Sequence, residues 1–393
     1  MELAMYEKLV NARNAGRTLS VASVLAVLSA SPGAANAQQV LADGVAAPTT
    51  QAAAASASMF WTADRFLSAR PMAVHPSEEL AIQSLAEQAA QAAQAASVGG
   101  QGSLSVVQVD ADNNNFVHPP VNLDEVVADQ EEVPASSMQF GLFTEARVTP
   151  NGANGTAVNS YPYRAAGALF FHDPRTNGNF ICTASMHSPR IILTAGHCVA
   201  HGSTDPNQRY WYDNFLFIPA YNNGIAPYGK WNWSFANTTG DWWNNGNVPN
   251  AHDFAMIEAA DQGTNVVGKI VGWLGWETGQ LSSNHFTTLG YPCNLDSCLL
   301  MQRNDAQTSG GGGSNTWIQG TSMRGGASGG PWVQDFGVLP VGAPAVPFGG
   351  NVVVGVTSYG PIATNIGYLG ASQFDAVFVS LHNQFCAHRA GNC

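Results

Sequence analysis

The sequence predicts an all-β fold class on three observations. From Arg147 onward, short apolar runs alternate with turn residues, as in Ala166 to Phe171, Arg190 to Leu193, Phe215 to Ile218, Val266 to Val271 and Asn351 to Val356. This is the punctuation of antiparallel strands and barrels. Charged residues make up only 11% of the chain while glycines number 41, which suits strands joined by long polar loops better than a helical bundle. Strong helical patterning is confined to two stretches. One is Ala81 to Ser97; in the other, Phe374, Val377, Phe378, Leu381 and Phe385 recur at helical spacing near the C-terminus. There, Ser372 with Asp375 three positions later resembles a capping box with Asp in place of Glu, so a closing structural helix is expected.

At 393 residues the chain is too long for one small domain, and three sections are expected. Residues 1–37 read as an export signal, with Lys8, Arg13 and Arg17 ahead of an apolar run from Leu19 to Leu28 and a small-residue site Ala35-Asn36-Ala37. That run is shorter than the roughly 20 residues of a spanning helix. Secretion, extracellular or periplasmic, is therefore expected, without a stable membrane anchor. Residues 38–146 hold 13 acidic and 2 basic residues, against 12 and 10 from Arg147 onward. The section is poor in large apolar side chains and unable to bury a firm core alone, as befits a propeptide or leader. Residues 147–393 form the core domain. A formal net charge of -12 without basic runs is repelled by phosphate backbones, so no nucleic-acid partner is expected.

The aromatic stretch from Tyr210 to Trp243 admits two readings, a surface platform that stacks on sugar rings or ordinary core packing, and packing is the commoner fate. All six cysteines lie after residue 180, and an exported protein meets an oxidising compartment, so three disulfides are expected. Cys293 and Cys298 bracket a small loop, as do Cys386 and Cys393. Disulfide loops are favoured there over a metal site, and neither metal nor cofactor is expected.

Hydrolysis of an amide by serine needs a base to take the hydroxyl proton and a carboxylate to orient that base. The segment Arg190 to Cys198, RIILTAGHC, is a strand ending on a small-residue turn that presents His197 beside a cysteine. Cys182 lies close enough in sequence to staple this turn to an adjacent strand, a bridge worth about 3 kcal/mol on the chain-entropy model. The segment Arg324 to Trp332, RGGASGGPW, sets Ser328 among small residues that allow a sharp turn and close substrate approach. The N–H groups of Gly326 and Ser328 are placed to receive a developing oxyanion, an effect worth about 3 to 4 kcal/mol per donor. Between them, AHDFAMIEAA places Asp253 ahead of an apolar strand that carries it inward. Asp241, in a polar loop, and Asp261, after the strand, are its rivals.

TAGHC, HDFAM and GGASGGP, in the order His, Asp, Ser, resemble the three signature segments of the trypsin-like, chymotrypsin-fold serine proteases. YPYRAA at 161–166 and MRGGASGGPW bring the resemblance nearer to the bacterial V8-like branch that includes glutamyl endopeptidases. It covers roughly 147–393. It implies two packed six-stranded β-barrels with His197 and Asp253 on the first and Ser328 on the second, a catalytic triad forming an acyl-enzyme, and a monomer acting on protein or peptide substrates.

The resemblance also implies which residues face substrate. Ser322 stands at the floor of the specificity pocket, and without a carboxylate there a basic substrate side chain would be buried unpaired, so tryptic preference is not expected. GVTSYG at 355–360 resembles the wall that pairs with extended substrate through Ser358 and Gly360. Thr357 takes the position of the His carried by glutamyl-specific members. Ala327 precedes the nucleophile where animal relatives have the Asp that pairs with a new N-terminus, which rules out activation by that salt bridge. Cleavage near Ala146 or Arg147 is expected instead to raise activity by uncovering the cleft. Two other readings compete. GASGG also fits the nucleophile elbow of α/β-hydrolases, with Asp375 and His382 or His388 following in order, but Pro331 and a strand-like segment stand where that elbow needs a helix. A catalytically inactive homologue that uses the double barrel as a binding module is the other.

Overall fold

A computed structural model of the chain describes residues 40–41, 44–46, 57–72, 74, 99–100, 117–121, 138–139, 143–150, 158–282, 284–310, 316–337, 350–361 and 366–393. The expected signal over 1–37 and the expected helix over 81–97 lie outside the described residues. Among these residues no helix is long and apolar enough to cross a membrane.

Within the leader section, a short helix α1 (Ala63–Leu67), capped by the Thr62 hydroxyl, precedes strand β1 (Arg70–Pro71). Strand β2 (Phe143–Arg147) follows much later. The first barrel then comprises β3 (Ala166–Asp173), β4 (Gly178–Met186), β5 (Ile191–Thr194), β6 (Asp213–Pro219), β7 (Trp231–Thr239) and β8 (Ala255–Ala259). The six pair in the order β7-β6-β3-β4-β5-β8 and close through β7–β8. The second barrel comprises β9 (His285–Gly290), β10 (Gln302–Gly310), β11 (Thr316–Gly320), β12 (Pro331–Gln334), β13 (Val352–Tyr359) and β14 (Ile366–Gln373). Its order is β13-β12-β9-β10-β11-β14, closed through β13–β14. Closure removes the free edges an open sheet would expose. The chain is thus all-β, with two closed six-stranded antiparallel barrels.

Alternation writes the interior of each barrel. Phe171, Phe215, Phe217, Trp231 and Trp233 pack together inside the first, while Trp317, Trp332, Val352, Val354 and Leu369 fill the second. The Trp-rich stretch is therefore core: Trp231, Trp233, Trp242 and Trp243 are all buried, and Trp211 stacks on Trp243 at 5.0 Å.

Two local expectations are corrected. Val267–Val271 is a short helix and not a strand. Its apolar run was too short for periodicity to decide, and Gly268 packs so tightly on Pro189 that a Cβ would lie 2.7 Å from the Pro189 carbonyl oxygen. The C-terminal helix α3 (Ala376–His388) is present, but Asp375 is its N-cap, its carboxylate accepting from the N–H groups of Val377 and Phe378. Ser372 belongs to β14, and its hydroxyl donates to the Asn250 carbonyl. The helix buries Phe378, Leu381 and Phe385 in the core it shares with Phe254 and Phe374.

Four leader segments pair with barrel strands among the described residues, Gly44–Ala46 with β7 and Met138–Gln139 with β14 beside the two labelled strands. β1 pairs parallel with β4, and β2 pairs antiparallel with β10 from Phe143↔Ala306 to Arg147↔Gln302. Ala146 and Arg147, where cleavage was expected, lie inside β2, and the Arg147 guanidinium bonds the Asp296 carboxylate.

Candidate active site

The turn after β5 carries His197 in a single 3₁₀ turn, Gly196–Cys198. Glycine is required at 196, since a Cβ would approach the Trp242 ring at 2.7 Å and Asp253 Oδ1 at 2.9 Å. The Cys182–Cys198 disulfide ties this turn to β4, as the spacing suggested, and Cys293–Cys298 and Cys386–Cys393 close the two small loops. Cys182 and Cys198 cluster with His197, and Cys386 and Cys393 with His382. In both clusters the sulfurs are bonded to each other and supply no thiolate to a metal.

Asp253, just before β8, is fully buried and accepts three hydrogen bonds. The His197 backbone N–H donates to Oδ1 at 2.8 Å, while His197 Nδ1 and the Ser358 hydroxyl reach Oδ2 at 2.7 and 2.6 Å. A buried carboxylate persists in the charged form only when its lone pairs are met in this way. With Nδ1 turned to the carboxylate, Nε2 is the nitrogen left to face a nucleophile. Nε2 is buried and has no hydrogen-bond partner among the described residues.

The rival carboxylates are spent elsewhere. Asp261 pairs with Arg190 at 2.8 Å and Arg389 at 2.5 Å. Asp241 accepts from His252, which bridges it at 3.0 Å to Asp375 at 2.8 Å. Burial opposes charge on His252, but the hydrogen bonds and charges of the two carboxylates outweigh it and push its pKa up to about 9. This clamp joins the residue beside Asp253 to the start of α3.

Ser328 lies on the loop before β12. Gly326 and Gly329 have φ of +100° and +78°, and a Cβ on either would sit within 2.3 Å of the Tyr291 carbonyl oxygen or 2.1 Å of the Thr194 hydroxyl. The loop is pinned by Thr183, whose N–H donates to the Ser328 carbonyl at 2.7 Å and whose hydroxyl donates to the Gly326 carbonyl at 2.8 Å. It also pairs with the wall strand, through Gly329 N–H to the Thr357 carbonyl and Thr357 N–H to the Gly330 carbonyl. The close approach of Gly329 to Thr194 and Ala195 sets this loop against the end of β5, where the His197 turn begins. A strand follows Ser328, not the helix of an α/β-hydrolase elbow, and Asp375 and His382 are engaged with His252 and His187.

The Ser328 hydroxyl donates to the Met72 carbonyl at 3.0 Å and makes no hydrogen bond to His197. Val74 also lies in the cavity beside Ser328, with Arg324, Thr357, Tyr359 and Gly360. Sequence reasoning missed this occupant because nothing local marks Met72 as a neighbour of a residue so distant in the chain.

The expected pocket residues divide. Gly360 and Thr357 line the cavity, but the Thr357 hydroxyl accepts from Trp332 Nε1 at 2.9 Å. Ser358 acts through its side chain on Asp253 as well as belonging to the wall. Ser322 does not line the cavity; its hydroxyl and N–H turn to the Glu145 carboxylate, which also accepts from the Thr321 hydroxyl at 3.0 Å. Burial raises the Glu145 pKa, against the pull of these donors and of Arg324. Ser322 is thus engaged by a carboxylate from β2, outside the cavity beside Ser328, a contact no motif announces.

No family model matches the chain. Among curated proteins it is 27% identical over 145 residues to an extracellular metalloprotease of Bacillus subtilis and 29% identical over 139 residues to a glutamyl endopeptidase of Bacillus licheniformis. Each match takes in 35% of this chain, but only 42% and 39% of those relatives' own length. Similar solved structures include the thermostable serine protease AL20 from an extremophilic microorganism, 24% identical with a TM-score of 0.49 over 57% of this chain and 98% of that one. The protease Anisep from Arthrobacter nicotinovorans is 23% identical, with a TM-score of 0.47 over 57% and 97%. A Glu endopeptidase in complex with MPD is 20% identical, with a TM-score of 0.46 over 62% and 96%. The chain folds as two closed six-stranded antiparallel barrels and over part of its length is similar to bacterial proteases, a glutamyl endopeptidase among them.

Proposed function

We propose that the chain is a secreted serine endopeptidase that cuts peptide bonds through Ser328, His197 and Asp253. The observation that carries the reading is the buried His197–Asp253 pair, with the free Nε2 beside a glycine-built loop bearing the one serine at its apex. As Ser328 Oγ bonds to the substrate carbonyl carbon, its proton passes to His197 Nε2 and the carbonyl oxygen takes the negative charge. The N–H groups of Gly326 and Ser328 receive that charge. Collapse breaks the C–N bond, the leaving amine takes the proton from Nε2, and the acyl group stays on Oγ. Water then repeats the sequence with Nε2 as base, releasing the acid. Asp253 stays ionised and holds the imidazolium.

Substrate lies along the wall 357–360, and the side chain preceding the cut enters the cavity lined by Arg324, Tyr359 and Leu369. Export rests on the charged, apolar and small-residue order of residues 1–37. The reading is tested with a fluorophosphonate probe on leader-free protein, cut between Val74 and Met138 so that β2 stays in place. The expected adduct is on Ser328, absent in His197→Ala; an unlabelled Ser328 in folded protein would favour a binding module.

A further inference from the structure

We propose that residues 57–72, with Val74, form a tethered plug that holds the nucleophile off its base, and that the first-barrel face around Phe170, Asn214 and Ile181 is its receptor. The inference rests on the reading of Ser328 as nucleophile. Three successive contacts build it. Trp61 and Phe66 stack at 5.1 Å and both meet Phe170 edge-on, at 5.5 and 4.9 Å, while Trp61 Nε1 donates to the Asn214 carbonyl at 2.7 Å. Each is only 5% exposed, so a leader otherwise poor in large apolar side chains spends two of them here. The chain then adds β1 alongside β4, and the Met72 N–H donates to the Ile181 carbonyl at 3.1 Å. Finally the Met72 carbonyl accepts a hydrogen bond from the Ser328 hydroxyl, and Val74 packs near Tyr359, Tyr368 and Trp242.

The plug is bound as an inhibitor and not as a substrate. In an attack geometry the nucleophile's oxygen faces the carbonyl carbon and the carbonyl oxygen faces the oxyanion donors. At Met72 it is the carbonyl oxygen that faces Oγ, and the hydroxyl proton His197 must remove is spent on it. The same contact leaves Nε2 without a partner. Because Met138–Gln139 and β2 pair with strands of the second barrel, the cut that releases the plug falls between Val74 and Met138, upstream of the Ala146–Arg147 bond.

The test uses the chain from residue 38 onward with a cleavage site for a specific protease inserted between residues 104 and 105, and reads the rate of fluorophosphonate labelling. The uncut chain is expected to label slowly. Labelling should rise when the cut fragment is removed by gel filtration, and fall again when a synthetic peptide of residues 57–74 is added. A Trp61→Ala peptide should inhibit about 30-fold less well, the usual scale for loss of a buried aromatic anchor. In the uncut chain, Met72→Pro, which removes the N–H bonded to Ile181, should speed labelling without disturbing either barrel. Equal labelling of cut and uncut chains, or equal inhibition by the two peptides, would overturn the plug and leave the nucleophile standing. No labelling of any form, cut and separated included, would overturn the nucleophile and the plug with it.

Discussion

The two barrels hold their shares of the site by different means. The first uses side chains: a bridged turn, a buried carboxylate and three donors aimed at it, one of them Ser358 reaching across from the second barrel. The second uses backbone: glycines at positive φ, carbonyls pinned by Thr183, and pairing to the wall strand. The difference teaches where each half is vulnerable. A side-chain network loses function by degrees as donors are removed, whereas a glycine-built loop tolerates no added carbon.

Four substitutions or conditions probe that contrast. On the first side, Asp253→Asn should lower kcat on the order of 10⁴-fold, because the amide leaves His197 in the wrong tautomer; steady-state kinetics on leader-free protein measure it. On the second side, Gly326→Ala forces a Cβ to 2.3 Å from the Tyr291 carbonyl oxygen at a φ of +100°. Denaturant unfolding should show a loss of about 2 to 3 kcal/mol, and a variant as stable as the parent would show that the loop relaxes freely. Ser358→Ala removes one of three donors and should cost about 10-fold in kcat with KM unchanged, the scale of one hydrogen bond to a charged group.

The smallest effect concerns the clamp behind Asp253. His252 has a folded-state pKa of about 9, above its ordinary value near 6.5, so its contribution to stability is complete below pH 6.5 and is lost as pH rises through 9. The groups facing it are Asp241 from α2 (Gly240–Asn245), Asp375 from the cap of α3 and the edge of the Phe254 ring. Between pH 7 and 10 the melting temperature should fall by roughly 5 °C, and His252→Gln should flatten that dependence.

What was legible in the sequence was local. The turn of His197, the entry of Asp253 and the loop of Ser328 are each written within about ten consecutive residues, so their small residues and strand signals could be read in place. The barrels were legible as alternation and turn spacing. What lay beyond reading joins distant segments: Met72 against Ser328, Glu145 against Ser322, and the Ser358 hydroxyl on Asp253. Each depends on strand register across the cleft, which no single segment encodes. Val267–Val271 was misread for a different reason: five residues carry too little periodicity to separate a helical turn from a strand. At the C-terminus the helix was plain, but its cap fell to Asp375 because β14 claims Ser372.

The central claim, peptide-bond hydrolysis by Ser328, is tested most directly by incubating leader-free protein with an unfolded protein substrate and identifying new internal termini by mass spectrometry. Internal cuts are expected, falling by about 10⁵-fold or more in Ser328→Ala, with the variant's melting temperature unchanged. Cleavage that persists at the parent rate in Ser328→Ala, or no cleavage by folded parent protein, would contradict it.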